Sequence, residues 1–132
     1  GYNILEFMVL SADVWGEHRL DTVLELLIKH GADTKSQRLV RFSCERDRYN
    51  LKVVNYFLRF TDNINFQDEK GVTDLMVCTS RSTVPIVKAI LDAGANPNLR
   101  NKLGKTALSY IYDWDVEKIE MKNLLISYGA ER

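Results

Sequence analysis

The sequence predicts an all-α solenoid, built from short helical units stacked side by side. Three observations carry the prediction. Turn-like closures recur at Gly31-Ala32-Asp33, Thr61-Asp62-Asn63-Ile64-Asn65, Gly94-Ala95-Asn96-Pro97-Asn98 and Gly129-Ala130, at spacings of 30, 33 and 35 residues. An apolar stretch at helical spacing precedes each closure. Gly71 and Gly104, which open two successive units, stand 33 residues apart. A repeat of this length is a supersecondary unit that cannot bury its apolar face alone, so neighbours must stack.

The closing helices come in order as Leu24-Leu26-Leu27-Ile28, Val53-Val54-Phe57-Leu58, Ile86-Val87-Ile90-Leu91 and Met121-Leu124-Leu125-Ile126. Each should bury one face and end where a glycine permits a left-handed backbone. Gly94 is therefore expected at positive φ. The opening turns read Asn3-Ile4-Leu5-Glu6, Thr73-Asp74-Leu75-Met76 and Thr106-Ala107-Leu108-Ser109. In each, the Thr or Asn can cap a helix and the Leu can face inward.

The pattern Gly, Thr-x-Leu turn, apolar helix, Gly-Ala-Asn resembles the ankyrin repeat. The resemblance covers nearly the whole chain as four imperfect repeats, at about 1–33, 34–65, 66–98 and 99–132. It implies a hairpin finger followed by two antiparallel helices in each. Two fingers look complete, Asn65-Phe66-Gln67-Asp68-Glu69-Lys70 and Leu99-Arg100-Asn101-Lys102-Leu103. The family's Thr-Pro-Leu-His turn has lost its His in all three copies. Extra residues fall around Ser11–Arg19, with Trp15, and near Asp115–Glu117, while the second unit has no opening turn before Ser36-Gln37-Arg38-Leu39-Val40. Ile111 and Tyr112 stand where the family prefers Ala. Irregular repeats of this kind are similar to those of poxviral ankyrin host-range proteins and of bacterial ankyrin effectors. Gly1 occupies the position that opens a unit, so a piece of a longer array is expected, monomeric as a fragment.

At 132 residues, the length suits one domain. Hydrophobic residues make up 45%, and 18 basic residues balance 18 acidic ones, so the overall charge favours neither nucleic acid nor an anionic membrane. No apolar run reaches the roughly 18 residues of a membrane span. Cys44 and Cys78 lie in apolar, helix-like surroundings and are expected as separate buried thiols, which favours a reducing compartment. An intracellular setting, cytoplasmic rather than nuclear, follows as the expectation.

Nothing in the sequence supports catalysis, a cofactor or a metal. His18 and His30 have no partner at ligand spacing, and His30 sits where a cation suits a helix C-terminus. Asp113 and Asp115 flank Trp114, but loop acids are common. The resemblance implies a non-catalytic scaffold or adaptor that binds another protein. Its usual contact positions carry over to Glu69, Lys70, Val77, Ser80 and Arg81 in the third repeat, and to Lys102, Leu103, Tyr110, Asp113 and Trp114 in the fourth. Trp, Tyr and Arg beside charges have the composition of an interface. A second candidate is the basic run from Lys35 to Arg59, centred on Arg41, Arg46 and Arg48, which reads as a solvated face, a site for an acidic protein surface or, least favoured, a site for a small anionic ligand or nucleic acid. The other reading is a regulatory module of a larger enzyme or channel.

Overall fold

In a computed structural model, the described residues are 4–5, 17–33, 39–44, 51–112 and 116–132. They form helices without strands. The helices are α1 (Glu17–Lys29), α2 (Leu39–Cys44), α3 (Leu51–Leu58), α4 (Asp74–Arg81), α5 (Val84–Asp92) and α6 (Val116–Ser127), with a single 3-10 turn at Ala107–Tyr110. Ile4 and Leu5 are also helical.

The helices lie in two layers. In the inner layer α2 packs on α4, and α4 on the 3-10 turn; in the outer layer α3 packs on α5, and α5 on α6. Leu24 and Glu25 of α1 line a small cleft with Lys52 and Tyr56 of α3. One continuous core runs between the layers, through Leu5, Leu24, Val54, Phe57, Leu75, Ile90, Met121 and Leu125. This is the stacking that the apolar stripes require.

The outer stripes fall as expected in α3 and α5, where Val53, Val54 and Phe57, then Ile86, Val87, Ile90 and Leu91, are buried. Pro85 sits in the first turn of α5, where a missing N–H costs nothing. In α1 Leu24, Leu27 and Ile28 face the core as expected, but Leu26 is exposed and Val23 faces the core in its place. Three consecutive apolar residues after Leu24 cannot all share one helical face. Glu17, His18 and Arg19, expected in an inserted loop, form the first turn of α1, while Ser11 to Gly16, including Trp15, lie outside the described residues.

Three closures share one geometry. The N–H groups of Gly31, Gly94 and Gly129 donate to the carbonyls of Ile28, Leu91 and Ile126, and those of Ala32, Ala95 and Ala130 to Leu27, Ile90 and Leu125. Gly94 has φ +97°, as the closure requires. The closure after α3 has no glycine; there the Thr61 hydroxyl donates to the Phe57 carbonyl at 3.1 Å.

Inner helix α4 starts as expected. Thr73 accepts a hydrogen bond from the Met76 N–H, and Leu75 is buried. The fourth unit differs, because its first helix is only the 3-10 turn. The chain is extended by Ile111, as suits the Tyr110-Ile111-Tyr112 run, whose side chains lose rotamer freedom in a helix.

The cysteines correct the expectation of separate thiols. Cys44 of α2 and Cys78 of α4 form a disulfide, Cα atoms 5.2 Å apart, with both residues fully buried. Thirty-four residues separate them, close to one repeat, so stacking brings them to matching places on adjacent inner helices. The argument for a reducing compartment rested on free thiols and falls with them.

Candidate interaction surface

Two fingers carry the candidate surface. In the first, the Gly71 N–H donates to the Asp68 carbonyl, and the Asp68 N–H to the Val72 carbonyl at 3.1 Å. The Asp68 carboxylate accepts from the backbone N–H groups of Lys70 and Val72, both at 2.9 Å. The second repeats this scheme 33 residues later, with Asn101 in place of Asp68: its Oδ1 accepts from the N–H groups of Leu103 and Lys105 at 2.9 and 3.0 Å. A short acceptor side chain thus closes each tip locally.

The tips stand side by side. The Lys102 N–H donates to the Lys70 carbonyl at 3.0 Å, and the Gln67 amide reaches the Arg100 carbonyl at 2.9 Å. A Cβ on Gly71, which has φ +74°, would lie 3.0 Å from the Asn101 Cα and the Lys102 nitrogen. Only glycine lets the two backbones approach this closely.

The expected contact residues sort accordingly. Glu69, Lys70 and Lys102 are exposed at the tips, and Leu103 at the second apex is 80% exposed. Arg81 is exposed in the last turn of α4. Val77 and Ser80 are half-buried, and the Ser80 hydroxyl turns back to the Val77 carbonyl. Tyr110 is half-buried, its hydroxyl accepting from the Asn101 amide at 2.9 Å. Asp113 and Trp114 lie outside the described residues. The sequence reading left out Tyr112, which is 62% exposed with its ring edge-on to Tyr110 at a centroid distance of 6.3 Å. A large aromatic at a position where the resemblance expects Ala was the available signal.

The ankyrin-repeat profile, in three copies, matches residues 40–131. The chain belongs to the ankyrin-repeat family. Ankyrin repeats are in general protein–protein interaction modules. This ankyrin chain is 32% identical over 78 residues to an ankyrin repeat protein of fowlpox virus (strain NVSL), covering 59% of this chain and 18% of that protein. An ankyrin repeat protein of Acanthamoeba polyphaga mimivirus is 30% identical over 93 residues, covering 59% of this chain and 16% of its own length. The mitochondrial disaggregase of Bos taurus is 28% identical over 131 residues, covering 83% of this chain and 19% of the disaggregase. The chain thus spans less than a fifth of each relative.

The basic run of the second ankyrin unit is spent differently from the reading as a free patch. Arg41 turns inward, its side chain 17% exposed. Its Nη1 donates to Asp68 at 2.8 Å, its Nε to Asp74 at 3.1 Å and its Nη2 to the Val72 carbonyl at 2.9 Å. Partial burial works against ionisation of both Arg41 and Asp68. The hydrogen bond between them, with the Asp74 charge beside Arg41 and the Val72 and Lys70 N–H groups on Asp68, outweighs it. Arg41 is held above its ordinary range and Asp68 below. Arg46 and Arg48 lie outside the described residues.

A groove of about 600 Å³ opens between the 3-10 turn and α6, with Leu108, Ile111, Ile119, Lys118 and Lys122 on its walls. Leu108 lies 33 residues after Leu75, which the fourth unit covers. The groove therefore lies on the side of the fourth unit that corresponds to the stacked side of the third. Among the described residues no His, Cys, Asp and Glu cluster could hold a metal, and no helix is long and apolar enough to cross a membrane.

Proposed function

We propose that the chain is a non-catalytic segment of a scaffold or adaptor, made of four ankyrin units at about 1–33, 34–65, 66–98 and 99–132. It binds another protein through the finger side of its last two units, as a monomer. The observation that carries this reading is the apposed pair of fingers. The second finger holds Leu103 in solvent, 80% exposed, next to the exposed Lys70 and Lys102; Tyr112, 62% exposed, follows the 3-10 turn, and Arg81 is exposed at the end of α4. Exposed aromatic and aliphatic groups rimmed by charge gain most when a partner desolvates them. Glu69, Tyr110, Asp113 and Trp114 belong to the same proposed face. An intracellular, more cytoplasmic than nuclear setting belongs to the reading too and rests on the family resemblance. Regulation of a larger enzyme or channel would use the same surface.

The test is substitution against the partner that crosslinking identifies. Leu103→Ala, Tyr112→Ala or Arg81→Ala should cost at least about 2 kcal/mol of binding at a true hot spot and leave the melt in place. Unchanged affinity in all three would move the site elsewhere. Binding lost only in Arg46→Ala or Arg48→Ala would favour the basic second unit, an acidic protein surface or nucleic acid as its ligand.

A further inference from the structure

We infer that the partner presents an acidic segment carrying an apolar side chain, and that the paired fingertips select it. This deepens the finger-side reading and rests on it. The whole chain is balanced at 18 basic and 18 acidic residues, but the tips are not. Lys70, Arg100, Lys102 and Lys105 are exposed there, against Glu69 alone, because the other finger acid, Asp68, is spent on Arg41. The hydrogen bond between the Lys102 N–H and the Lys70 carbonyl fixes the two backbones in register, so both ammonium groups leave adjacent tips. Lys70, Lys102 and Lys105 have no acidic partner among the described residues. An anionic segment docked across the tips would meet these cations.

Leu103 follows Lys102 and is separated from Lys105 by Gly104, with most of its side chain in water. A phosphate backbone offers nothing to an aliphatic apex, whereas the Glu69 charge opposes either anion alike and does not separate them. An acidic peptide matches both features: its carboxylates meet the lysines, and one Leu, Phe or Tyr covers Leu103. Extended peptides of this kind gain specificity from side chains spaced along the strand. The charges steer the encounter and the apolar contact holds it.

The experiment selects random displayed peptides of about a dozen residues, enough to span both tips, on the intact chain. The expected winners are net negative and contain an apolar residue. A synthetic winner should bind the Lys70→Glu, Lys102→Glu double variant about tenfold more weakly, the gap narrowing as salt rises. It should also bind Leu103→Asp more weakly, while oligothymidylate of matched length binds less well than the peptide. These positions are exposed, so the melts should match the parent. The milder Lys70→Gln, Lys102→Gln pair should fall between parent and reversal. Neutral or basic winners, no winners, indifference to the lysine reversal, or oligothymidylate binding as tightly as the peptide would each overturn the inference. Neutral winners that still lose affinity in Tyr112→Ala or Arg81→Ala would leave the finger-side reading standing. Winners indifferent to every one of these substitutions would sink both.

Discussion

The junction between the second and third units and the junction between the third and fourth share an asparagine link between closures, at Asn65 and at Asn98, and otherwise differ in chemistry. At the first, α2 meets α4 through the Cys44–Cys78 disulfide, the Arg41 ion pairs to Asp68 and Asp74, and a Ser82 hydroxyl donating to the Cys44 carbonyl. At the second there is no covalent link. Finger pairs with finger, Lys118 caps the carbonyls of Thr79 and Ser80 at 3.4 Å, and Tyr128 donates to Asp92. Asn98 joins the closures, its amide donating to the Gly129 carbonyl and its Oδ1 accepting from the Glu131 N–H, both at 2.8 Å, as Asn65 joins those of the first junction through the Gly94 carbonyl and the Asn96 N–H. The first junction thus adds a disulfide and a partly buried ion-pair network, while the second adds a backbone hydrogen bond between finger tips to side-chain contacts from Gln67, Lys118 and Tyr128. The proposed binding surface lies at the tips of the second junction.

The disulfide should separate the two junctions most sharply. Removing it with Cys44→Ala plus Cys78→Ala should cost roughly 4 kcal/mol, the loop-closure figure for a link of this length. Hydrogen exchange should then quicken in α2 and α3 but stay slow in α5 and α6. Thiol labelling of unfolded, unreduced protein should find both cysteines blocked; two free thiols would remove the basis of the contrast.

Arg41→Met comes next. It leaves Asp74, 6% exposed, without its guanidinium. Because Asp68 is only half-buried, we expect about 2–3 kcal/mol in a denaturant melt, less than a fully buried pair would lose. Asp68→Asn should cost less still and tests the sign of the pH dependence. A carboxylate whose folded pKa is depressed contributes stability above its ordinary 3.8 and loses it as pH falls through the folded value. The parent should therefore weaken across that acid window more than Asp68→Asn does. The fourth unit places neutral Asn101 at the matching position, so the finger of the second junction lacks this acid response; Asp92 there, lowered by Lys88 and Tyr128, is exposed and its pairing is screened by salt. Parallel acid melts of the two proteins would contradict the assignment. Smallest is Asn98→Ala, about 1 kcal/mol for two solvent-facing hydrogen bonds. A loss as large as that of Arg41→Met would show that the second junction hangs on one side chain.

Local chemistry was legible in the sequence. The Gly94 closure, the Thr73 cap, the outer stripes of α3 and α5 and the two fingers each follow from residues within one turn of one another. What was missed depends on residues one repeat apart. Arg41 and Asp74 are 33 residues apart, and Cys44 and Cys78 are 34. Each alone reads as a surface cation or a buried thiol, and only stacking makes them partners. A separation near the period was the usable clue. The shortened inner helix of the fourth unit was illegible for another reason, because the Thr106 turn looks the same whether a helix or a 3-10 turn follows. That shortening puts Tyr112 on the surface and completes the candidate face.

Hydrogen–deuterium exchange of the chain alone and with its crosslinked partner tests the central claim most directly. The account predicts new protection in residues 66–72 and 99–112, both fingers and the 3-10 turn, with 17–33 and 51–60 unchanged. Protection centred on α2 and α3, with the fingers exchanging as in the free protein, would contradict it.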